Sequence, residues 1–158
     1  VSAAQPALEP NTWLDALALF ALDNGLGDFG IVDVGRRSDD QDLPAACIIL
    51  TEVRGLVSST MGWGNDVIGP YANLYVRGEP DDYLGPRNAV WRLMTLLHRA
   101  GQLAPTIHGF PFLMIGGDNA PTPNPLGRDE QRRAQWSVDV PVWLRVVSPV
   151  APVIVAAP

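Results

Sequence analysis

The stretch 135–146 leaves this chain little freedom. Trp136, Val138, Val140, Val142, Leu144 and Val146 alternate with Gln135, Ser137, Asp139, Trp143 and Arg145. Successive side chains of a strand point to opposite faces, so this period of two predicts one long strand with one face on a core. Pro141 falls inside it. Proline cannot donate to a ladder, which puts Pro141 near a sheet edge or on a bulge.

Other segments supply candidate partners. Residues 31–34, 46–53, 71–77 and 106–115 read as strands, the last interrupted by Pro111 and so an edge, bulged or bent strand. In the third, Leu74 and Val76 share one face, Tyr75 and Arg77 the other. A first helix is predicted over 13–24, with Thr12 as N-cap, Asp15 imitating a capping box and Gly25 as its stop. Its apolar arc is wide, so it is covered either twice by its own chain or once by another subunit. A second helix is predicted over 86–100, opened by Pro86 and stopped by Gly101. Val90, Leu93, Met94 and Leu97 form its core stripe; Arg87, Arg92 and Arg99 lie mostly off it, solvated or facing a partner. Asp81 and Asp82 suit its N-terminus.

Residues 35–42, 55–69 and 116–133 read as loops. The second is long enough to be functional or part of an interface. Its Trp63, between glycines, suits an interface anchor or a ring folded back on the core. The tail 148–158 is apolar and proline-rich, and is expected to be an arm laid on a neighbouring subunit or partner. The expected architecture is α+β: a small, mostly antiparallel or mixed sheet of about four strands flanked by two helices, with long loops and an extended C-terminal arm. It forms a single domain over 1–158, with its core at about 12–147.

Composition narrows the function. The chain carries a net charge of −6, which disfavours duplex-DNA binding by bulk electrostatics. All 11 basic residues are arginine, which reads as coding bias. Cys47, the one cysteine, permits neither an internal disulfide nor a cysteine zinc site and reads as a buried thiol. No signal peptide or membrane-length apolar run is read, so folding in a cytoplasm is expected. Gly25-Leu26-Gly27-Asp28-Phe29-Gly30 matches G-x-G-x-x-G, but a helix precedes it and a strand follows, the reverse of the nucleotide-binding context. His98 and His108 have no metal-ligand spacing. The acid pairs Asp39-Asp40, Asp81-Asp82 and Asp129-Glu130 sit in loops or at element ends, where carboxylates are solvated or cap helices. No catalytic residue, cofactor or metal is therefore expected. Residues 127–133 mix both charges densely and read either as a solvated turn or as an inter-subunit salt-bridge set.

Two motifs carry a resemblance. Leu74-Tyr75-Val76-Arg77-Gly78 ends a strand before the second helix, and Leu126-Gly127-Arg128-Asp129-Glu130, followed by Arg132 and Arg133, introduces the last strand. With this order of elements, over about residues 12–147, the chain resembles the tail terminator proteins of long-tailed bacteriophages, also called tail completion or minor capsid proteins. The resemblance implies a structural virion protein, assembled in the host cytoplasm: a ring, six subunits in the family, on the head-proximal end of the tail tube. Its implied partners are other copies of itself, the major tail tube protein and the neck (connector or stopper) protein, with DNA passing through the lumen without specific binding. The candidate interface residues are Trp63, Arg77, Arg128, Asp129, Glu130, Arg132, Arg133, Val153 and Ile154. Another head–tail connector subunit, or a small enzymatic or ligand-binding α+β domain, are the alternatives.

Overall fold

A computed structural model describes residues 12–56, 67–116 and 121–145. The elements are α1 (Trp13–Asp23), a 3-10 turn (Leu26–Asp28), β1 (Ile31–Val34), β2 (Cys47–Leu56), β3 (Val67–Pro80), α2 (Leu84–Gly101), β4 (Thr106–Ile107), β5 (Phe110–Ile115), β6 (Asn124–Arg128) and β7 (Arg133–Arg145). The α+β class holds. The sheet is larger than the four strands expected: seven strands in the order β1-β2-β3-β7-β5-β4, with β6 also on β7. β1 runs parallel to β2 and every other pairing is antiparallel, so the sheet is mixed.

The extra strands come from segments that periodicity could not resolve. His108 and Gly109, both at positive φ (44° and 85°), fold the predicted strand 106–115 into a two-residue hairpin pairing Ile107 with Phe110. β6 lies inside the predicted loop 116–133; its five residues are all exposed, so it carries no core pattern to read. β2 and β3 both run into the predicted loop 55–69, whose centre is outside the described residues.

β7 is an interior strand, which corrects the edge position suggested by Pro141. β3 covers one side, while β6 (opposite 134–137) and β5 (opposite 142–144) share the other. Pro141 sits where these two neighbours change over. Its carbonyl accepts from the Gly116 N–H at 2.8 Å, and the N–H it lacks would face that same junction, so no ladder bond is lost.

The helices cover one face of the sheet. Leu14, Leu17, Ala18 and Ala21 of α1 and Ala89, Val90, Leu93, Met94 and Leu97 of α2 pack with Ile48, Leu50, Leu74, Val76, Trp136, Val138 and Val140 in one core. The wide arc of α1 is covered by its own chain: Phe20 and Leu22 pack against that core too. Thr12 is the N-cap, its Oγ1 accepting from the Asp15 N–H at 3.3 Å, and Gly25 at φ 81° ends the helix. Arg92 of α2 donates to the carbonyl of Asn24 at 2.5 Å, tying the end of α1 to the second helix. Gly101 belongs to α2 for a packing reason: a Cβ there would lie 2.5 Å from Ile115 of β5. No helix among the described residues is long and apolar enough to cross a membrane.

Leu93 is fully buried in this core. Leu93→Asp would place an unpaired charge there, at a cost of about 3–5 kcal/mol, a large share of a typical domain's stability. The variant should lose its cooperative thermal transition by circular dichroism.

Candidate interface site

The mixed-charge segment before β7 is a hairpin turn. The Asp129 N–H donates to the Arg133 carbonyl (3.1 Å) and the Arg132 N–H to the Asp129 carbonyl (2.9 Å). This closes a three-residue loop of Glu130, Gln131 and Arg132, with Arg132 in the left-handed conformation such loops need (φ 61°). The Asp129 carboxylate accepts the backbone N–H groups of Gln131 and Arg133 (3.0 Å each) and Nε of Arg133 (2.7 Å). Burial pushes the Asp129 carboxyl up. The Arg133 N–H, its guanidinium and the Gln131 N–H outweigh that and hold it below the usual carboxylate range. Aspartate is favoured here because its short side chain can bond the backbone two residues on.

Arg132 faces Asp81, in the connection between β3 and α2. The Asp81 N–H donates to the Arg132 carbonyl (3.0 Å), and their side chains form an ion pair at 3.0 Å. Asp81 is also at positive φ (64°), so two residues with side chains take the conformation that suits glycine. Such strain costs on the order of 1–3 kcal/mol per residue. The ion pair, with side chains 71% and 53% exposed, contributes about 0–1 kcal/mol. It does not offset the strain.

Arg77 is placed differently from its expected interface role. Its residue is only 2% exposed, and Nε, Nη1 and Nη2 donate to the carbonyls of Ala45 (3.0 Å), Ser38 (2.7 Å) and Pro44 (2.9 Å). It is a clamp: three fixed donors pin the loop 35–46 onto the end of β3. Arg36 organises the same loop, bonding Asp33, Asp40 and Asp42. The Asp40 and Asp42 carboxylates raise the Arg36 pKa, and its guanidinium lowers that of Asp40. Between this loop and the hairpin turn lies a cleft of about 420 Å³, floored by Arg77 and walled by Asp39, Asp40, Gln131 and Arg133. A second hollow of about 250 Å³ extends it past Asp129, Glu130 and Gln135.

The sheet face away from the helices is polar. Asn73 donates to Ser137 Oγ and Asp139 Oδ1 (2.8 Å each), and the Tyr75 hydroxyl donates to Gln135. The register of β3 and β7 sets these pairs, with Asn73 opposite Asp139 and Tyr75 opposite Ser137. At one corner an apolar patch forms, where Leu43 of the loop covers Cys47 and Ile49. Burial raises the pKa of the Cys47 thiol and of the Tyr75 hydroxyl.

Of the residues singled out from sequence, Arg77, Asp129, Glu130 and Arg133 come together around the cleft; Arg132 pairs across to Asp81, and Arg128 is exposed at the end of β6. Trp63, Val153 and Ile154 lie outside the described residues. Asp129 and Arg133 are held by each other, so their charges serve the turn first. Asp81 was missed as a partner, since nothing local announces a pairing across 51 positions. Among the described residues no group of three or more His, Cys, Asp or Glu could hold a metal ion. No family model matches the chain, and no curated protein matches it.

Because the Asp129 pKa is lowered on folding, its ionised form stabilises the fold above the unfolded-state value of about 3.9, and that contribution fades as pH falls through the lower folded value. Asp129→Asn should therefore be less stable than the parent chain at neutral pH. Urea midpoints measured from pH 7 to 2 should show the two converging only in acid.

Proposed function

We propose that this chain is a phage tail terminator: a ring subunit that caps the head-proximal end of the tail tube and joins it to the neck. The proposal starts from the resemblance carried by Arg77-Gly78 and by Asp129, Glu130, Arg132 and Arg133. The observation that carries it furthest is the strained pair Asp81–Arg132. Glycine would relax either backbone, and the exposed ion pair returns too little to explain both residues. In this reading their side chains also serve contacts outside the folded subunit. Arg128 and Glu130, exposed beside them, extend the same charged edge. Such contacts fix register and partner more than they supply affinity, which suits a ring that must close on one tube. In this reading the subunit is structural and non-catalytic. It meets its own copies, the tube protein and the neck protein, with DNA threading the lumen.

Electron microscopy of particles assembled without this subunit tests the reading. Filled heads beside free tails of abnormal length are expected. Empty heads that have lost their DNA would move the subunit to the head-completion connector. Normal infectious virions would overturn the structural role. A ligand-binding domain is then the second reading, favoured by the cleft over Arg77.

Arg132→Gly separates strain from function. It should leave monomer stability level or raise it by up to about 2 kcal/mol, since relief of about 1–3 kcal/mol of strain opposes a loss of about 0.4–1 kcal/mol to the freer unfolded chain. It should also weaken assembly on tail tubes, scored by the fraction of tubes capped. A variant that caps tubes as well as the parent would remove Arg132 from the interface.

A further inference from the structure

The outer face of α2 is unlike the rest of this chain. The helix holds Arg87, Arg92 and Arg99 and no acidic residue, in a protein of net charge −6. Arg92 is spent on the end of α1. Arg87 and Arg99 have no ion pair among the described residues. Between them stands Trp91, 39% exposed, and a turn or two before it Leu84, 63% exposed. Leu84, Arg87, Trp91, Thr95 and Arg99 are all exposed and recur every three to four positions, so they form one stripe. A tryptophan flanked by arginines is the composition of an interface anchor.

The opposite side of the molecule has the complementary character. Among the described residues no helix covers the polar sheet face, and a hollow of about 180 Å³ opens in it, lined by Arg36, Ser38, Ile49, Thr51, Asn73 and Tyr75. Buried Ile49 and half-buried Tyr75 form its apolar floor. The charge around it is negative. On one side Asp33 of β1 and Asp39, Asp40 and Asp42 of the loop outnumber Arg36 and Arg37, with which they pair; on the other stands exposed Asp139, opposite Asn73.

We infer that Trp91 of one copy seats in this hollow on a second copy, with Arg99 reaching Asp139 at one end and Arg87 the loop aspartates at the other. The spacing agrees. Arg87 and Arg99 are twelve positions apart, ~18 Å along a helix. Asp139 lies four positions beyond Gln135, which pairs with Arg77 under the loop, and that is ~13 Å before the loop's own reach is added. The two surfaces differ, so the contact is head-to-tail and closes into a ring when its rotation allows. The inference rests on the ring reading for closure, while the contact itself needs only a second copy. Duplex DNA is the weaker occupant, because two free arginines on an acidic chain neutralise few phosphates.

Sedimentation velocity of the full chain over a concentration series tests this, with circular dichroism to verify folding. The parent should associate. Trp91→Ala should weaken association at least tenfold, and Arg87→Glu with Arg99→Glu should abolish it. Adding Asp139→Arg to Arg99→Glu should restore it. Association unchanged in all these variants would overturn this contact and leave the ring reading standing. A parent that is monomeric throughout and also fails to cap tail tubes would overturn both. Fluorescence anisotropy with a labelled DNA duplex decides the other occupant: binding that disappears in the arginine variants, while self-association persists, would overturn the contact in favour of nucleic acid.

Discussion

The register of β7 governs this molecule. Among the described residues it is the one strand bonded to three others, and its alternating face supplies Trp136, Val138, Val140, Val142 and Leu144 to the core. A slip of one residue would turn that face to solvent and bury Ser137 and Asp139. Two devices at its start oppose a slip. Asp129 fixes the β6–β7 turn through three hydrogen bonds, and the Asp81–Arg132 contact closes the β3–β7 ladder just beyond the Pro80–Arg133 pair. The charge-dense segment is thus a register lock before it is anything else.

The second dependence is on Arg77. A buried guanidinium without a carboxylate partner is costly, and it persists here because three carbonyls converge on it. Those carbonyls belong to a loop with no regular structure, whose backbone would otherwise go unpaired at that edge. Arg77 gives the loop a fixed seat, and Arg36 gathers its aspartates. Both the cleft and the loop side of the hollow on the polar sheet face follow from this one side chain on β3.

Much of this could be read from sequence, and the unread parts share a cause. α1, α2, β2, β3 and β7 were legible because each carries a periodic apolar set ending on one core. β6 was not, because all its residues are exposed, and β4 was not, because two residues are too few for a period. For the site, the alternation of Tyr75 and Arg77 against Leu74 and Val76 gave the faces correctly. It did not tell that Arg77 would be covered, since its cover comes from a loop more than thirty positions away. The pairing of Asp129 with Arg133 was within reach of local reasoning, as an Asx turn before a strand. The resemblance directed those charges outward instead.

The edges of the sheet bear on how copies can meet. β6 offers an exposed edge, a common template for strand addition. Yet it carries Pro125, which lacks an N–H, and a register shift before Gly127, which sits at φ 83°. Both features spoil a continuous ladder and are familiar guards against edge pairing. Joining subunits through backbone hydrogen bonds at β6 is therefore disfavoured by the same segment that anchors the turn. Side-chain surfaces remain: the arginine–tryptophan stripe of α2, the polar sheet face and the charged edge at Arg128, Glu130 and Arg132. An assembly built from them depends on charge geometry and one aromatic anchor, so salt should weaken its specificity before it weakens the fold of the subunit, whose core is apolar.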